Sequence, residues 1–229
     1  MVVNDPIRVL IADDNRPFRR GVRLRLEQAE GIVVVGEAST GHDAVTAARA
    51  ERADVVLMDL EMPGTNGIEA TRTLVRESQK ATRVIVLTSH GEQDLVLRAL
   101  SEGASGYLLK THDGAQLIEA IRAAHRGDGL ISTRVTSTLL QQVARSRASD
   151  DDRQRQHTLS PSETRVVELL SRGVTSNEAI AKTLQLSANT VRTHIQASLK
   201  KTDTADRTQL ALWGARVLTP DGTRLNRRT

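Results

Sequence analysis

Val55-Val56-Leu57-Met58-Asp59-Leu60-Glu61-Met62-Pro63-Gly64 is the stretch that decides the fold. Four apolar residues run without alternation into a single carboxylate, the pattern of a parallel strand covered on both faces. Asp59 falls where the strand meets solvent, and Met62-Pro63-Gly64 turns the chain. In open parallel sheets, ligands sit outside the carboxyl ends of the strands. An isolated Asp at such an end is more often a turn former than a reactive group, so its meaning depends on the other strand ends.

The same unit repeats on both sides of this stretch. Ile7–Ala12 reads as a strand ending in Asp13-Asp14, and Phe18, Val22 and Leu26 then recur at helical spacing behind Pro17, which suits a first helical turn. Residues 32–38 form the next strand, with Ala44, Val45, Ala47 and Ala48 marking its helix. Ile68, Leu74 and Val75 mark the helix after the central strand. Residues 83–89 are a fourth strand, followed by Leu95, Val96, Ala99 and Leu100. Residues 106–110 are a short fifth, followed by Leu117, Ile118, Ile121 and Arg122 and a stop near Gly127. Five strand–helix units describe a doubly wound, five-stranded parallel sheet of the flavodoxin-like kind. No G-x-G-x-x-G follows the first strand and there is no Walker loop, which argues against dinucleotide or nucleoside-triphosphate binding.

The strand ends supply Asp13, Asp14, Asp59, Thr88 and Lys110. Three carboxylates brought together repel one another and call for a cation, and an all-oxygen donor set suits Mg²⁺. A carboxylate is also a nucleophile able to form an aspartyl-phosphate, with the metal and a lysine neutralising the transferring oxygens. Taken singly, Thr88 is a β-favouring residue and Lys110 a solvated one; together the five residues point to one site. His90, next to Thr88-Ser89, is the histidine nearest that site, and no histidine pair has metal-ligand spacing.

The composition bounds the rest. A chain of 229 residues suggests one or two domains, and 38% hydrophobic residues are enough for a packed core. Cysteine is absent, which excludes disulfides, thiolate metal sites and a cysteine nucleophile. No secretory leader and no 18-residue apolar run is found, so a soluble cytoplasmic protein without membrane contact is expected. The charge is uneven. Residues 154–229 hold 12 Lys/Arg against 6 Asp/Glu, whereas residues 1–153 hold 20 against 22, so the C-terminal part is the candidate for a polyanion partner. Only Phe18, Tyr107 and Trp213 are aromatic, too few for base stacking to dominate nucleic-acid binding.

Beyond Gly127 the pattern changes. Val135, Leu139, Leu140 and Val143 suggest one short linker helix, and the charge-dense run 146–156, with no apolar anchor, reads as a flexible tether. Ser160-Pro161-Ser162-Glu163 then carries a capping box with Pro at the first helical position. Val166, Val167, Leu169 and Leu170 form that helix's apolar side. Ala179, Ile180, Ala181 and Leu184 mark a second helix. Val191, Ile195 and Leu199, behind Ser187, mark a third, and Leu210, Leu212 and Trp213 a fourth. The third helix shows a polar face of Asn189, Thr190, Arg192, Thr193, Gln196 and Lys200. Arg, Asn, Gln and Thr are types that read base edges, and lysines such as Lys200 and Lys201 hold phosphates. A helix of this kind after a tight turn suits the major groove of double-stranded DNA. Leu210 and Trp213 offer either an apolar seam for a partner subunit or packing inside their own domain.

Residues 5–126 resemble the receiver domain of two-component response regulators, and residues 158–217 the four-helix DNA-binding domain of the LuxR/NarL type. The first resemblance rests on Asp13-Asp14, the Asp59 strand with Met62-Pro63-Gly64 and Gly67, Thr88-Ser89 and Lys110; the second on residues 159–163, 190–194 and 207–209. It implies that Asp59 accepts phosphate from a histidine kinase, that Asp13, Asp14, Asp59 and the backbone carbonyl of Glu61 serve Mg²⁺, and that Thr88 and Lys110 hold phosphoryl oxygens. Thr88 and Tyr107 would be the switch pair. Arg192, Thr193 and Gln196 would face DNA, and the last helix would serve dimerisation. The implied organisation is a receiver over 1–127, a linker with a short helix over 128–157, a helix-turn-helix domain over 158–219 and a flexible tail over 220–229. The function implied is a phosphorylation-controlled transcription regulator, not an enzyme with its own substrate. The alternative is a receiver whose helical module acts by protein contact and has lost DNA readout.

Two departures from the family pattern bear on the second module. The interval from Gly173 to Ile180-Ala181 is one residue longer than usual. Inside a helix, one extra residue rotates all that follows by about 100°. The insertion is therefore expected in the turn at Val174-Thr175, with Ser176 as the cap and Ala179 in place of the usual acid. Thr202-Asp203 also stands where the family has Leu-Gly, which predicts a left-handed Asp and a loss of apolar packing of about 1–3 kcal/mol.

Overall fold

The computed structural model describes residues 5–77, 82–89, 93–111, 114–128, 140, 143 and 148–218. They fall into two compact units. The first is built on five strands, β1 (Ile7–Ala12), β2 (Ile32–Ala38), β3 (Val55–Asp59), β4 (Arg83–Thr88) and β5 (Gly106–Leu109). They are parallel and ordered β2-β1-β3-β4-β5. The helices α1 (Arg16–Leu26), α2 (Gly41–Ala50), α3 (Gly67–Glu77), α4 (Gln93–Ser101) and α5 (Gly114–His125) alternate with them, as the sequence pattern predicts.

Every residue of β3 is buried because both faces of the sheet are covered. Val9, Ile11, Leu57, Ile85 and Leu87 pack with Val22 and Leu26 of α1 and Leu117 and Ile121 of α5. Leu10, Val56, Met58 and Val84 pack on the other side with Ala44 and Val45 of α2 and Ala70 and Leu74 of α3. Each fully buried Leu, Ile, Val or Met side chain contributes about 1.5–3 kcal/mol.

The chain direction reverses across β1, whose neighbours are β2 on one side and β3 on the other. The crevice at that switch point is where doubly wound sheets bind ligands, and it lies between the ends of β1 and β3. Local chemistry shapes its rim. Asn15 caps α1, its side chain accepting from the N–H of Phe18 at 3.1 Å, and Asn66 does the same for Glu69 at 3.0 Å at the start of α3. Gly67 sits against the end of β3. A Cβ there would come to 1.9 Å from the backbone oxygen of Asp59 and 2.9 Å from Cα of Leu60. The Gly67 N–H donates to the Leu60 carbonyl at 3.2 Å. Only a bare backbone lets α3 approach the strand end this closely.

The C-terminal helices are α6 (Asp150–Gln156), α7 (Pro161–Ser171), α8 (Asn177–Leu184), α9 (Ala188–Thr202) and α10 (Arg207–Val217). Val166, Val167, Leu170, Ile180, Ala181, Val191 and Ile195 are buried. The expected caps are present: Ser160 and Glu163 form the capping box of α7, and Ser187 accepts from the Thr190 N–H. Ser176 caps α8, accepting from the Ala179 N–H at 3.0 Å, so the extra residue is absorbed in the turn and Ile180 and Ala181 keep their buried face. Asp203 ends α9 in the left-handed region with φ 54. Thr202 is fully buried in place of the family's Leu, and its hydroxyl is satisfied by the Ser198 carbonyl at 2.8 Å and the Thr204 hydroxyl at 2.9 Å.

One expectation is corrected. The tether expected over 146–156 contains helix α6, because Ser149 and Asp152 make a reciprocal capping box that the composition alone conceals. Of the apolar linker residues, Leu140 and Val143 are helical and buried, while Val135 and Leu139 lie outside the described residues, as does the tail 219–229.

The Gly67 contact yields a measurable consequence. Gly67→Ala forces the β3–α3 turn to shift and should cost about 1–3 kcal/mol in urea unfolding. A variant as stable as the wild type would show that the turn has slack.

Candidate functional site

The site at the strand ends is built around Lys110. Its N–H donates to the Thr88 carbonyl at 2.8 Å, which places it just past β5 beside the end of β4. β3 lies one strand further on, so the distance to Asp59 is about two strand spacings of 4.8 Å, a span for a long side chain. The Lys110 ammonium lies 2.8 Å from Oδ2 of Asp59 and 2.7 Å from Oδ2 of Asp13. Phe18 of α1 covers it, with Nζ 5.0 Å from the ring centroid, within cation–π range. Phe18 looked in the sequence like an ordinary apolar helix position; its place four residues after Asp14, facing the sheet, was the available signal.

Asp13 is fully buried, Asp59 is 4% exposed and Asp14 is exposed. One oxygen from each of the three lies within 4.8 Å of the others, a set able to hold a metal ion. Three oxygen donors with a solvent-facing side fit a hard divalent cation that keeps several waters. The other Asp13 oxygen accepts from the Asn15 N–H at 2.9 Å, which fixes the carboxylate plane. The Glu61 N–H reaches Asp59 Oδ1 at 3.4 Å, so Glu61 lies beside the pocket. Thr88 is buried at the end of β4. Tyr107 is buried in β5, 4% exposed. His90 lies outside the described residues.

The electrostatics follow from burial. Desolvation raises the Asp59 carboxyl above its ordinary value; the hydrogen bond and charge of Lys110 pull it down, and Asp13 pushes it up. Burial alone would lower Lys110, but hydrogen bonds and charge from Asp13 and Asp59 outweigh it and hold the ammonium above its ordinary value. The lysine therefore stays charged while the carboxylates keep a cation demand that one ammonium does not meet. The arrangement presents a nucleophilic oxygen and a bound positive charge to an incoming anion.

On the helical unit, Asn189, Arg192, Thr193, Gln196 and Lys200 are exposed on α9, and Thr190 is partly so, with its hydroxyl 2.8 Å from that of Ser187. Arg192, Gln196 and Lys200 form one row at i, i+4, i+8, and Asn189 and Thr193 the row beside it. Lys201 is exposed as well. Its ammonium contacts both Glu163 oxygens, at 3.0 and 2.7 Å, because position 201 turns toward α7. Leu210 and Trp213 are buried, at 0% and 1% exposure. Sequence reading missed the tie from Glu163 to Lys201, since Glu163 was already accounted for by its capping box.

A carboxylate cluster at the switch point of a doubly wound sheet, followed in one chain by a helix-turn-helix unit, defines a class, and known families bear this out. Residues 9–122 match the response regulator receiver domain and residues 157–213 the bacterial regulatory proteins of the luxR family. The chain belongs to the response regulators of the NarL/FixJ type, transcription regulators that join a receiver to a LuxR-type DNA-binding domain. It is 39% identical over 210 residues to the transcriptional regulatory protein LiaR of Bacillus subtilis, covering 92% of this chain and 97% of that one. It is 34% identical to the nitrate/nitrite response regulator NarL of Escherichia coli, covering 91% and 95%. Among solved structures it is similar to the response regulator ChrA of a heme-sensing two-component system, at 33% identity, TM-score 0.52 and 93% and 98% coverage. It is also similar to RcsB, solved as two dimers bound to two parallel DNAs, at 26% identity, TM-score 0.53 and 93% and 99% coverage. Among the described residues no helix is long and apolar enough to cross a membrane.

The Glu163 tie gives a pH-dependent prediction. Burial works against the Glu163 charge, but the bonds from Lys201 and Ser160 win and hold its carboxyl below the ordinary 4.5. A depressed folded value means stability that is present above the unfolded value and lost as pH falls through the folded one. Glu163→Gln should therefore lower stability at pH 7 by about 1–3 kcal/mol in denaturant titrations, with the gap closing below about pH 4. An equal gap at pH 7 and pH 3 would mean that charge plays no part.

Proposed function

We propose that Asp59 is the phosphoacceptor of this response regulator and that α9 is its DNA-reading helix. The observation that carries the first assignment is the Lys110 ammonium seated between Asp59 and Asp13 at the switch point. In the reaction one Asp59 carboxylate oxygen attacks the phosphorus of a phosphohistidine on a histidine kinase, or of a small acyl phosphate. The new O–P bond forms as the bond to the leaving group breaks, and the leaving group takes the electron pair. Lys110 loses part of its carboxylate contact and takes up a phosphoryl oxygen. The Thr88 hydroxyl holds another, and Tyr107 responds to the Thr88 position as the second half of the switch. Asp13, Asp14, Asp59 and the Glu61 carbonyl would hold Mg²⁺, which when bound neutralises charge on the phosphoryl oxygens. Slow hydrolysis of the acyl phosphate in the same pocket returns the protein to its starting state.

Phosphorylation would in turn control dimerisation and DNA binding in the cytoplasm. Arg192, Thr193 and Gln196, exposed on α9, would read base edges in the major groove. Asn189 and Thr190 would approach the backbone at the helix start, where free N–H groups favour phosphate. Lys200 and Lys201 would hold phosphates further along. The relative RcsB, solved as dimers on DNA, supports a two-fold pair of half-sites.

Incubating the full chain with acetyl phosphate and Mg²⁺ should add one phosphate, seen by intact mass, and Asp59→Asn should add none. Equal labelling of both would remove Asp59 from the role. On DNA, Lys200→Ala should weaken binding about uniformly and flatten the salt dependence by roughly one unit of slope. Arg192→Ala should cost about 1–3 kcal/mol more on the preferred duplex than on random DNA. Anisotropy titrations at several salt concentrations check both, and two folded variants that bind like the wild type would remove α9 from DNA reading.

A further inference from the structure

Helix α6 is held by contacts that its own sequence does not explain. It spans Asp150–Gln156, seven residues, none of them buried. An isolated helix of that length is unstable in water even with a capping box. Its anchor is Arg155, whose guanidinium donates through Nη1 to the backbone carbonyl of Thr202 at 3.1 Å, with Nη2 3.8 Å from the Asp203 carboxylate. Thr202 is the last residue of α9, and Asp203 is its left-handed cap.

The end of α9 needs such a partner. The last carbonyls of a helix have no partner within it and carry the negative end of its dipole, so a cation there is favourable. The Asp203 and Thr204 N–H groups both turn back to the Leu199 carbonyl, Thr204 at 3.1 Å, and neither serves the carbonyl of Thr202. The cap residue is Asp rather than Gly, so its left-handed backbone carries a steric cost that its surroundings must offset. A guanidinium serves here better than an ammonium, because its planar fork reaches carbonyl and carboxylate at once.

We infer that Arg155 is a positioning residue for DNA reading: it ties α6 to the C-terminal end of α9, so that the DNA-binding module begins at the Ser149 cap rather than at residue 158. Arg155 sets how the exposed row Arg192–Gln196–Lys200 is presented, while touching no base itself. The DNA part of this inference rests on the assignment of α9 as the reading helix.

The test uses the full chain with Arg155→Ala, Arg155→Lys and, as a contact control, Arg192→Ala. Amide hydrogen exchange at Asp203 and Thr204 should speed up about tenfold in Arg155→Ala, with Arg155→Lys intermediate, since an ammonium still reaches the Thr202 carbonyl. On a 30-base-pair duplex selected by the wild-type chain from a random pool, Arg155→Ala should bind about five- to thirtyfold more weakly, the worth of one charge-assisted hydrogen bond. Affinity for an unselected duplex and the salt slope should stay unchanged, and Arg155→Lys should recover part of the loss. Unchanged exchange at Asp203 and Thr204 would overturn the tie. Unchanged affinity, or an equal loss on both duplexes with the salt slope reduced by about one, would overturn the positioning role, the latter making Arg155 a phosphate contact. If Arg192→Ala leaves binding intact while Arg155→Ala still loosens the two amides, the tie stands and the reading of DNA by α9 fails.

Discussion

The receiver unit depends on one electrostatic constraint: two buried carboxylates, Asp13 and Asp59, share a single ammonium. Bringing carboxylates together under a sheet edge is unfavourable, and Lys110 relieves only part of that repulsion. The remainder is negative charge that a cation could neutralise. Removing one partner from such a buried cluster leaves an uncompensated charge, which costs more than the cluster gains in stability. The site is therefore better understood as a reservoir of unmet charge than as a stabilising salt bridge. Its rigidity comes from elsewhere: the packed sheet beneath it, the Asn15 N–H that orients Asp13, and the close seat of Gly67 on the end of β3.

The helical unit uses charge differently. Its core of Val166, Val167, Leu170, Ile180, Val191 and Ile195 is small, and α9 must hold a fixed attitude while its outer face stays polar. Polar ties at the last turn of α9 meet that need. Glu163 grips Lys201, Arg155 grips the Thr202 carbonyl, and the Thr202 hydroxyl closes onto Ser198. The exchange of Leu-Gly for Thr202-Asp203 thus removes apolar packing and adds hydrogen-bonding partners at the same place. A Thr buried with its hydroxyl satisfied costs far less than one buried without a partner.

Much of this was legible in the residues. Unbroken apolar runs announced buried parallel strands, helical spacing between them announced the crossovers, and capping residues marked Ser160, Ser176 and Ser187 as helix starts, because these signals are local and repeat at the period of the element. The convergence of Asp13, Asp14, Asp59, Thr88 and Lys110 also followed, since a doubly wound sheet brings all its carboxyl ends to one edge. Helix α6 was missed because no apolar stripe marks it. The tie between Glu163 and Lys201 was not legible because Glu163 already had a role in its capping box.

What the sequence by itself determined is the order of elements, the two-part organisation and the chemistry gathered at the strand ends, all consequences of periodicity and connectivity. Only the tertiary structure decided which polar groups pair. Glu163 and Lys201, 38 residues apart, share two hydrogen bonds. Burial and ion pairing depend on which side chains meet across distant elements, and that is set by packing in three dimensions, not by spacing along the chain.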